Sequence, residues 1–394
     1  MALRSRWLGR VLERLLGLAL YGGRPTPAAP FDPDAVRRIL VVRNDNLGDL
    51  LCTTPALRAL RLRYPRAHLA ILVPTHCRLL LEGNPDVDEV VTYTKAKHRE
   101  GGTTLGAWHD MLRMFRRLWA GGFDLAITMR QRFSPSAGWL VYASRARWRL
   151  GNRPPASEPL GFFLNLGEAQ PAIPEARHEV DACLGILRPL GVPTVPRELS
   201  LRVPAEAQAR MAARLREAGV IRPAALVHLS SRQPANRWPL ERFAAVAEVL
   251  QSRYALQVLV NWAPGDAGNR LFPGDDPRSA EIRRLFPPPA LLWETPGLEE
   301  LLATIGSADL VLSADGGVVH MAAALRVPQV VIFGRGTPEL WGPCSPVARS
   351  LWKGPEAARV SVEDVLAAIE DLAGQLGWRP AAVGASAPPG LGQG

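Results

Sequence analysis

Short, wholly apolar runs alternate with amphipathic stretches along most of this chain, a pattern that predicts buried strands joined by crossover helices. In the first half 39–42 and 69–73 are such runs, and 124–128, Asp-Leu-Ala-Ile-Thr, reads as a third strand. Residues 43–49, Arg-Asn-Asp-Asn-Leu-Gly-Asp, read as the loop after the first run, with a helix continuing from Thr54 to Arg63. A helix at 177–190 is stopped by Gly191-Val192-Pro193. The second half predicts a helix at 206–218, a strand at 224–229, a helix at 243–254 and a strand at 257–261. Near the end, a strand at 310–312 stops at Ser313-Ala314-Asp315-Gly316-Gly317, and a helix (318–325) and a second strand (329–333) follow. The last helix covers 362–376. Strand, turn, helix, strand recurs throughout, so the fold class is α/β with parallel sheets.

A chain of 394 residues that is 47% hydrophobic can bury two cores, and two domains of roughly 170–190 residues are expected. The first spans 38–192 and the second 205–378, with 193–204 between them. Before them, Leu8, Val11, Leu12, Leu15, Leu16 and Ala19 share one helical face, while Arg6, Arg10, Glu13 and Gly17 lie opposite. Charges interrupt this stretch too often for a membrane span. Residues 1–24 therefore form a basic amphipathic helix that rests either on an anionic membrane surface or on the protein's own body. Pro25, Pro27, Pro30 and Pro33 make 25–37 a stiff linker, and the Ala/Pro/Gly/Ser-rich 379–394 is expected to be a disordered tail.

The net charge of +10 is almost wholly arginine, since only Lys95, Lys97 and Lys353 are lysines. Such a composition can follow from base bias alone, and no helix-turn-helix or basic-aromatic module accompanies it, so nucleic acid is not expected as a partner. Cys52, Cys77, Cys183 and Cys344 fit neither a zinc pattern nor a disulfide framework, which points to a reducing cytosol. No Gly-Lys-Ser/Thr follows a glycine-rich loop, and Asp275-Asp276 reads as a surface turn.

Three features carry candidate chemistry. Gly316-Gly317 lets backbone approach a ligand, and the helix start after it offers free amides to an anion, with Asp315 and His320 bracketing the turn. Asp49 begins a helix after the first strand, either as a first-turn acid that complements the helix dipole or as a carboxylate facing the crevice above a sheet. Arg130 and Arg132 follow the 124–128 strand and suit a phosphorylated or acidic partner, whereas Arg113, Arg116 and Arg117 read as a solvated helix face.

Four blocks resemble glycosyltransferase family 9, the ADP-heptose:lipopolysaccharide heptosyltransferases. They are RILVVRNDNLGDLLCTTPALRALRLRYP, RHEVDACLGILRPLGVP, SSRQPANRWPLERFAAVA and SADGGVVHMAAALRVPQVVIFG followed by LWGPCSP, in family order across 38–347. The resemblance implies the glycosyltransferase type B fold, with two Rossmann-like domains facing across a cleft. It also implies inverting transfer without a metal or other cofactor, in which an acceptor hydroxyl displaces a nucleoside diphosphate from a sugar. Such a reaction needs a base and positive potential for the leaving group. By the same resemblance Asp49 is the base. Asp315, Gly316, Gly317 and His320 form the donor element, Ser230 and Ser231 contact phosphates, Arg232 and Arg237 supply charge, and Asp266 meets the ribose.

The donor implied is ADP-heptose, and the acceptor a lipopolysaccharide-core or similar anionic glycolipid met by Arg130 and Arg132. The setting implied is cytoplasmic, peripheral on the inner face of the inner membrane. Family members usually carry lysine where this chain has Asn236, so Arg237→Ala is expected to weaken donor binding more than Asn236→Ala. Equal donor affinities in those two variants would refute this. Alternatives are a sugar-nucleotide epimerase on the same fold, a non-catalytic basic binding protein, and a family member that binds without transferring.

Overall fold

The computed structural model describes residues 2–21, 30–94, 104–155, 157–167, 178–220, 223–266, 268 and 274–378. The Pro25 and Pro27 part of the predicted linker, Lys95, Lys97, Arg177 and the 379–394 tail lie outside the described residues. The chain divides into two compact units, Met1–Arg202 with Glu339–Cys344, and Val203–Pro338 with Ser345–Gly394.

The first unit opens with α1 (Ala2–Tyr21) and continues β1 (Arg38–Val42), α2 (Leu47–Arg63), β2 (His68–Pro74), β3 (Glu89–Tyr93), α3 (Thr104–Gly121), β4 (Leu125–Thr128), α4 (Pro135–Ala143), β5 (Trp148–Leu150) and α5 (Glu179–Ile186). Its sheet is parallel throughout, in the order β3-β2-β1-β4-β5. Residues Ile39 to Val42 are fully buried, which is why this strand reads as a continuous apolar run rather than an alternation.

The helix after β1 starts at Leu47, inside the stretch 43–49 expected as loop. Asp49 explains this: its carboxylate accepts from the backbone N–H of Asn46 at 3.2 Å, closing the first turn as a capping box does. Pro55 inside the helix removes the amide that Leu51 O would have accepted. Thr54 Oγ1 donates to that carbonyl at 2.7 Å instead. Residues up to Arg202 stay with this unit, and Ser200 N donates to Thr54 Oγ1 at 2.9 Å.

In α1, Val11, Leu12 and Leu16 are half-buried while Leu8, Leu15 and Leu18 are exposed. A Cβ on Gly17 would stand 3.7 Å from the Tyr142 hydroxyl of α4. The helix thus packs on its own unit by one side and still presents leucines on another.

The second unit contains α6 (Ala205–Glu217), β6 (Ala224–His228), α7 (Leu240–Tyr254), β7 (Gln257–Asn261), α8 (Ser279–Leu285), β8 (Leu291–Leu292), α9 (Leu298–Ser307), β9 (Leu310–Ala314), α10 (Gly317–Ala324), β10 (Gln329–Phe333), β11 (Ala348–Trp352) and α12 (Val362–Leu376); a short helix, α11 (Pro338–Trp341), falls where the chain passes between the units. The sheet order is β11-β10-β9-β6-β7-β8, again all parallel. One core of this unit joins Val227, Phe243, Val258, Leu312, Ile332 and Ile369. Here β9 runs two residues past the expected end because Ser313 and Ala314 are also buried.

Candidate functional site

Each sheet is wound outward from a pair of neighbouring strands, β1 with β4 in the first unit and β6 with β9 in the second. Connections from such a pair leave in opposite directions, opening a crevice at the strands' carboxyl ends where ligands of this architecture bind. The loops after β4, β6 and β9 carry Arg130, Ser230 and Asp315, and Asp49 stands in the first turn of the helix that follows β1. Asp49, Arg130, Ser230 and Asp315 thus stand at the two topological switch points, whereas Asp266 follows β7.

In the first unit the crevice is organised by a residue the sequence reading passed over as loop. Arg43, immediately after β1, is buried, and Nη2 donates to Glu179 Oε1 at 2.6 Å and to Asp49 Oδ1 at 3.1 Å. Its Nε lies 2.8 Å from Asp45 Oδ1, and Nη1 donates to Met129 O. Burial works against its charge, but Asp45, Cys183, Glu179 and Asp49 outweigh it, so the Arg43 pKa is raised. Burial likewise pushes the Asp45 and Glu179 carboxyls up against the pull of Arg43.

Asp49 realises the modest reading of its position, as a first-turn acid. Its Oδ2 accepts from Asn46 N and from Asn46 Nδ2 at 2.9 Å. The side chain nevertheless keeps 15% of its surface accessible, more than Asp45 or Glu179. Arg130 does fall at the carboxyl end of β4, where it donates to Asp45 Oδ2 at 2.7 Å and remains about a third exposed. Arg132 is exposed beside it.

In the second unit three loops converge. Ser231 Oγ donates to Asp315 O at 2.9 Å, Asn236 Nδ2 donates to Asp315 Oδ2 at 2.8 Å, and Arg335 N donates to Asn236 Oδ1 at 2.7 Å. Gly334 and Gly336 make this closeness feasible. A Cβ at Gly334 would stand 2.1 Å from Ala235 O, and one at Gly336 would stand 2.5 Å from Asp315 Oδ2. Burial pushes the Asp315 carboxyl up to about 6, with the Asn236 hydrogen bond pulling the other way. Gly316 precedes α10, whose first-turn amides start at Gly317, and His320 is buried one turn further on.

One expectation changes. Asp275-Asp276 is not a surface turn: Asp275 is buried, accepting from Ser230 Oγ at 2.5 Å and from Arg237 Nη1 at 2.8 Å. Asp276 accepts from Trp262 Nε1 and Gly265 N, bracing the same loop. A Pro/Gly-rich setting hid this, because the partners lie 38 and 45 residues away. Ser230 and Arg237 accordingly reach inward. Arg237 Nε also donates to Ser231 O at 3.0 Å, and its side chain remains 28% exposed. Asp266 is exposed and accepts from Gly268 N at 2.6 Å, while Arg232 is exposed on the 230–239 loop.

Two parallel α/β units, each with polar loops gathered at its switch point, define a two-domain Rossmann-like protein. The model of glycosyltransferase family 9 (heptosyltransferase) matches residues 111–368, and the chain belongs to that family and is a glycosyltransferase. The family 9 glycosyltransferase of Veillonella parvula superposes with a TM-score of 0.70 at 21% identity, covering 86% of this chain and 97% of that one. Escherichia coli heptosyltransferase WaaC with ADP gives 0.66 at 20%, covering 85% and 99%. Both support the glycosyltransferase type B fold. In sequence, lipopolysaccharide heptosyltransferase 3 of Escherichia coli is 24% identical over 307 residues, 78% of this chain and 86% of the relative.

Proposed function

We propose that this glycosyltransferase moves a heptose from ADP-heptose to a lipopolysaccharide-core acceptor, with inversion and without a metal. Family membership supports the transfer and its donor class. The observation that carries the mechanism is the position of Asp49, an accessible carboxylate at the switch point of the first sheet. An acceptor hydroxyl attacks the anomeric carbon and gives its proton to Asp49. The bond from that carbon to the diphosphate oxygen breaks, and ADP leaves with the electron pair. Amides at the start of α10 and the Gly316–Gly317 turn supply positive potential for the departing diphosphate. The half-exposed Arg130 and the exposed Arg132 serve an anionic acceptor. The enzyme works on the cytoplasmic side, with α1 against the membrane face.

The test is ADP release from ADP-heptose in the presence of a panel of truncated lipopolysaccharides. Release that needs one of these acceptors is the expected result. Turnover of donor alone would favour the epimerase reading, and donor binding without release on any acceptor would favour a member that has lost transfer.

A further inference from the structure

A one-to-one pair with a guanidinium is a poor setting for a general base, because the cation stabilises the unprotonated carboxylate and weakens its hold on a proton. Asp49 does not have its guanidinium to itself. Arg43 is shared among Asp45, Asp49 and Glu179, and the nitrogen that reaches Asp49 at 3.1 Å is held more closely by Glu179, at 2.6 Å.

Glu179 is built to hold it. The side chain is 6% exposed and belongs to the first residue of α5. His178 caps that helix through Nδ1, which accepts from Val180 N at 3.1 Å, while Nε2 lies 2.9 Å from Gly342 O. Several acids gathered on one buried arginine add little to stability, since desolvation cancels much of the attraction. An arrangement of this kind beside a ligand crevice is better explained by function.

We propose that Glu179 is a positioning residue for transfer: it takes up the charge of Arg43 and fixes Nη2, so that Arg43 holds Asp49 in place for the acceptor. This rests on the reading of Asp49 as the base. Neutralising Glu179 turns the full charge of Arg43 onto Asp49 and Asp45, while the donor-binding loops belong to the other unit.

The experiment compares Glu179→Gln, Glu179→Asp and Asp49→Asn with the wild type, in the ADP-release assay with ADP-heptose and the truncated lipopolysaccharide that the wild type accepts. Glu179→Gln should lower kcat roughly tenfold or more with the KM for ADP-heptose within about twofold, and Glu179→Asp should recover most of it. Wild-type kcat in Glu179→Gln beside an inactive Asp49→Asn overturns the proposal and leaves the base reading intact. A raised KM in both Glu179 variants also overturns it, because that marks a merely structural role. An active Asp49→Asn overturns the base reading, and this proposal with it. Independently of turnover, the melting-point shifts of Glu179→Gln and Asp49→Asn should not add in the double variant; strict additivity would deny the coupling through Arg43.

Discussion

The Asn236 side-chain amide joins the Asp315 carboxylate to the loop after β10, donating to Oδ2 at 2.8 Å and accepting from Arg335 N at 2.7 Å. Among the described residues no ion pair reaches Asp315, so a desolvated carboxyl rests on a neutral partner. The resemblance read from the sequence leads one to expect lysine at this position. Asn236→Lys should add a charge-assisted contact to Asp315 and strengthen ADP binding several-fold at pH 7.5, measured by calorimetry. Unchanged or weaker ADP affinity would mean that the amide is the better fit to this loop.

The same carboxyl makes stability depend on pH in a definite direction. Its folded value, about 6, lies above the ordinary 3.8, so the native state holds the proton more tightly. The stabilisation is complete below about pH 4 and is lost as pH rises through 6, a change of about 3 kcal/mol. Asp315→Asn removes this titration. The difference in unfolding free energy, wild type minus variant, should therefore fall from pH 4 to 7 in urea titrations. A difference flat across that range would show that Asp315 is not desolvated in the native protein.

Asp275 anchors Ser230 and Arg237 from a buried position. Asp275→Ala takes the acceptor from Arg237 Nη1 and from the Ser230 hydroxyl, and should destabilise the protein by about 3 kcal/mol. ADP affinity should fall as well, because the 230–239 loop loses its brace. A variant as stable as wild type by chemical denaturation would show that the loop holds without this network.

Much of the fold was legible because each central strand is buried on both faces. Runs such as 39–42, 257–261 and 329–333 contain little that is polar, and their edges match β1, β7 and β10 within a residue. Helix starts were less legible. Leu47 begins α2 only because Asp49 closes a turn on Asn46, and a capping box without Ser or Thr gives a weak signal. At the site, Asp49 and Asp315 are legible because strand ends and turns are local features, whereas Ser230 is reached only through the family resemblance. The partners of Arg43 and Asp275 are not legible, since Glu179 lies 136 residues from Arg43 and Ser230 lies 45 from Asp275. An arginine ending a wholly apolar strand was the available signal: a charge at that depth requires acids around it.

Leu15 and Leu18 on α1 are 60% and 66% exposed, while Val11, Leu12 and Leu16 of the same helix are half-buried. The sequence reading grouped Leu15 with Leu16 on one face; the structure separates them, because the side against the rest of the unit passes through Gly17 near Tyr142. On α3, Leu112 and Trp119 are also exposed, with Arg113 and Arg116 between them in sequence. Leucine and tryptophan interleaved with arginine suit an anionic bilayer surface, and no helix among the described residues is long and apolar enough to cross one. Each leucine buried in lipid contributes up to about 2 kcal/mol. Leu15→Asp with Leu18→Asp should therefore lower binding to phosphatidylglycerol-containing vesicles at least tenfold in flotation assays, with the melting temperature nearly unchanged. Leu16→Asp should do the reverse, lowering the melting temperature through its half-buried side. Vesicle binding that survives the double substitution would remove α1 from the membrane face and leave its helix as packing alone.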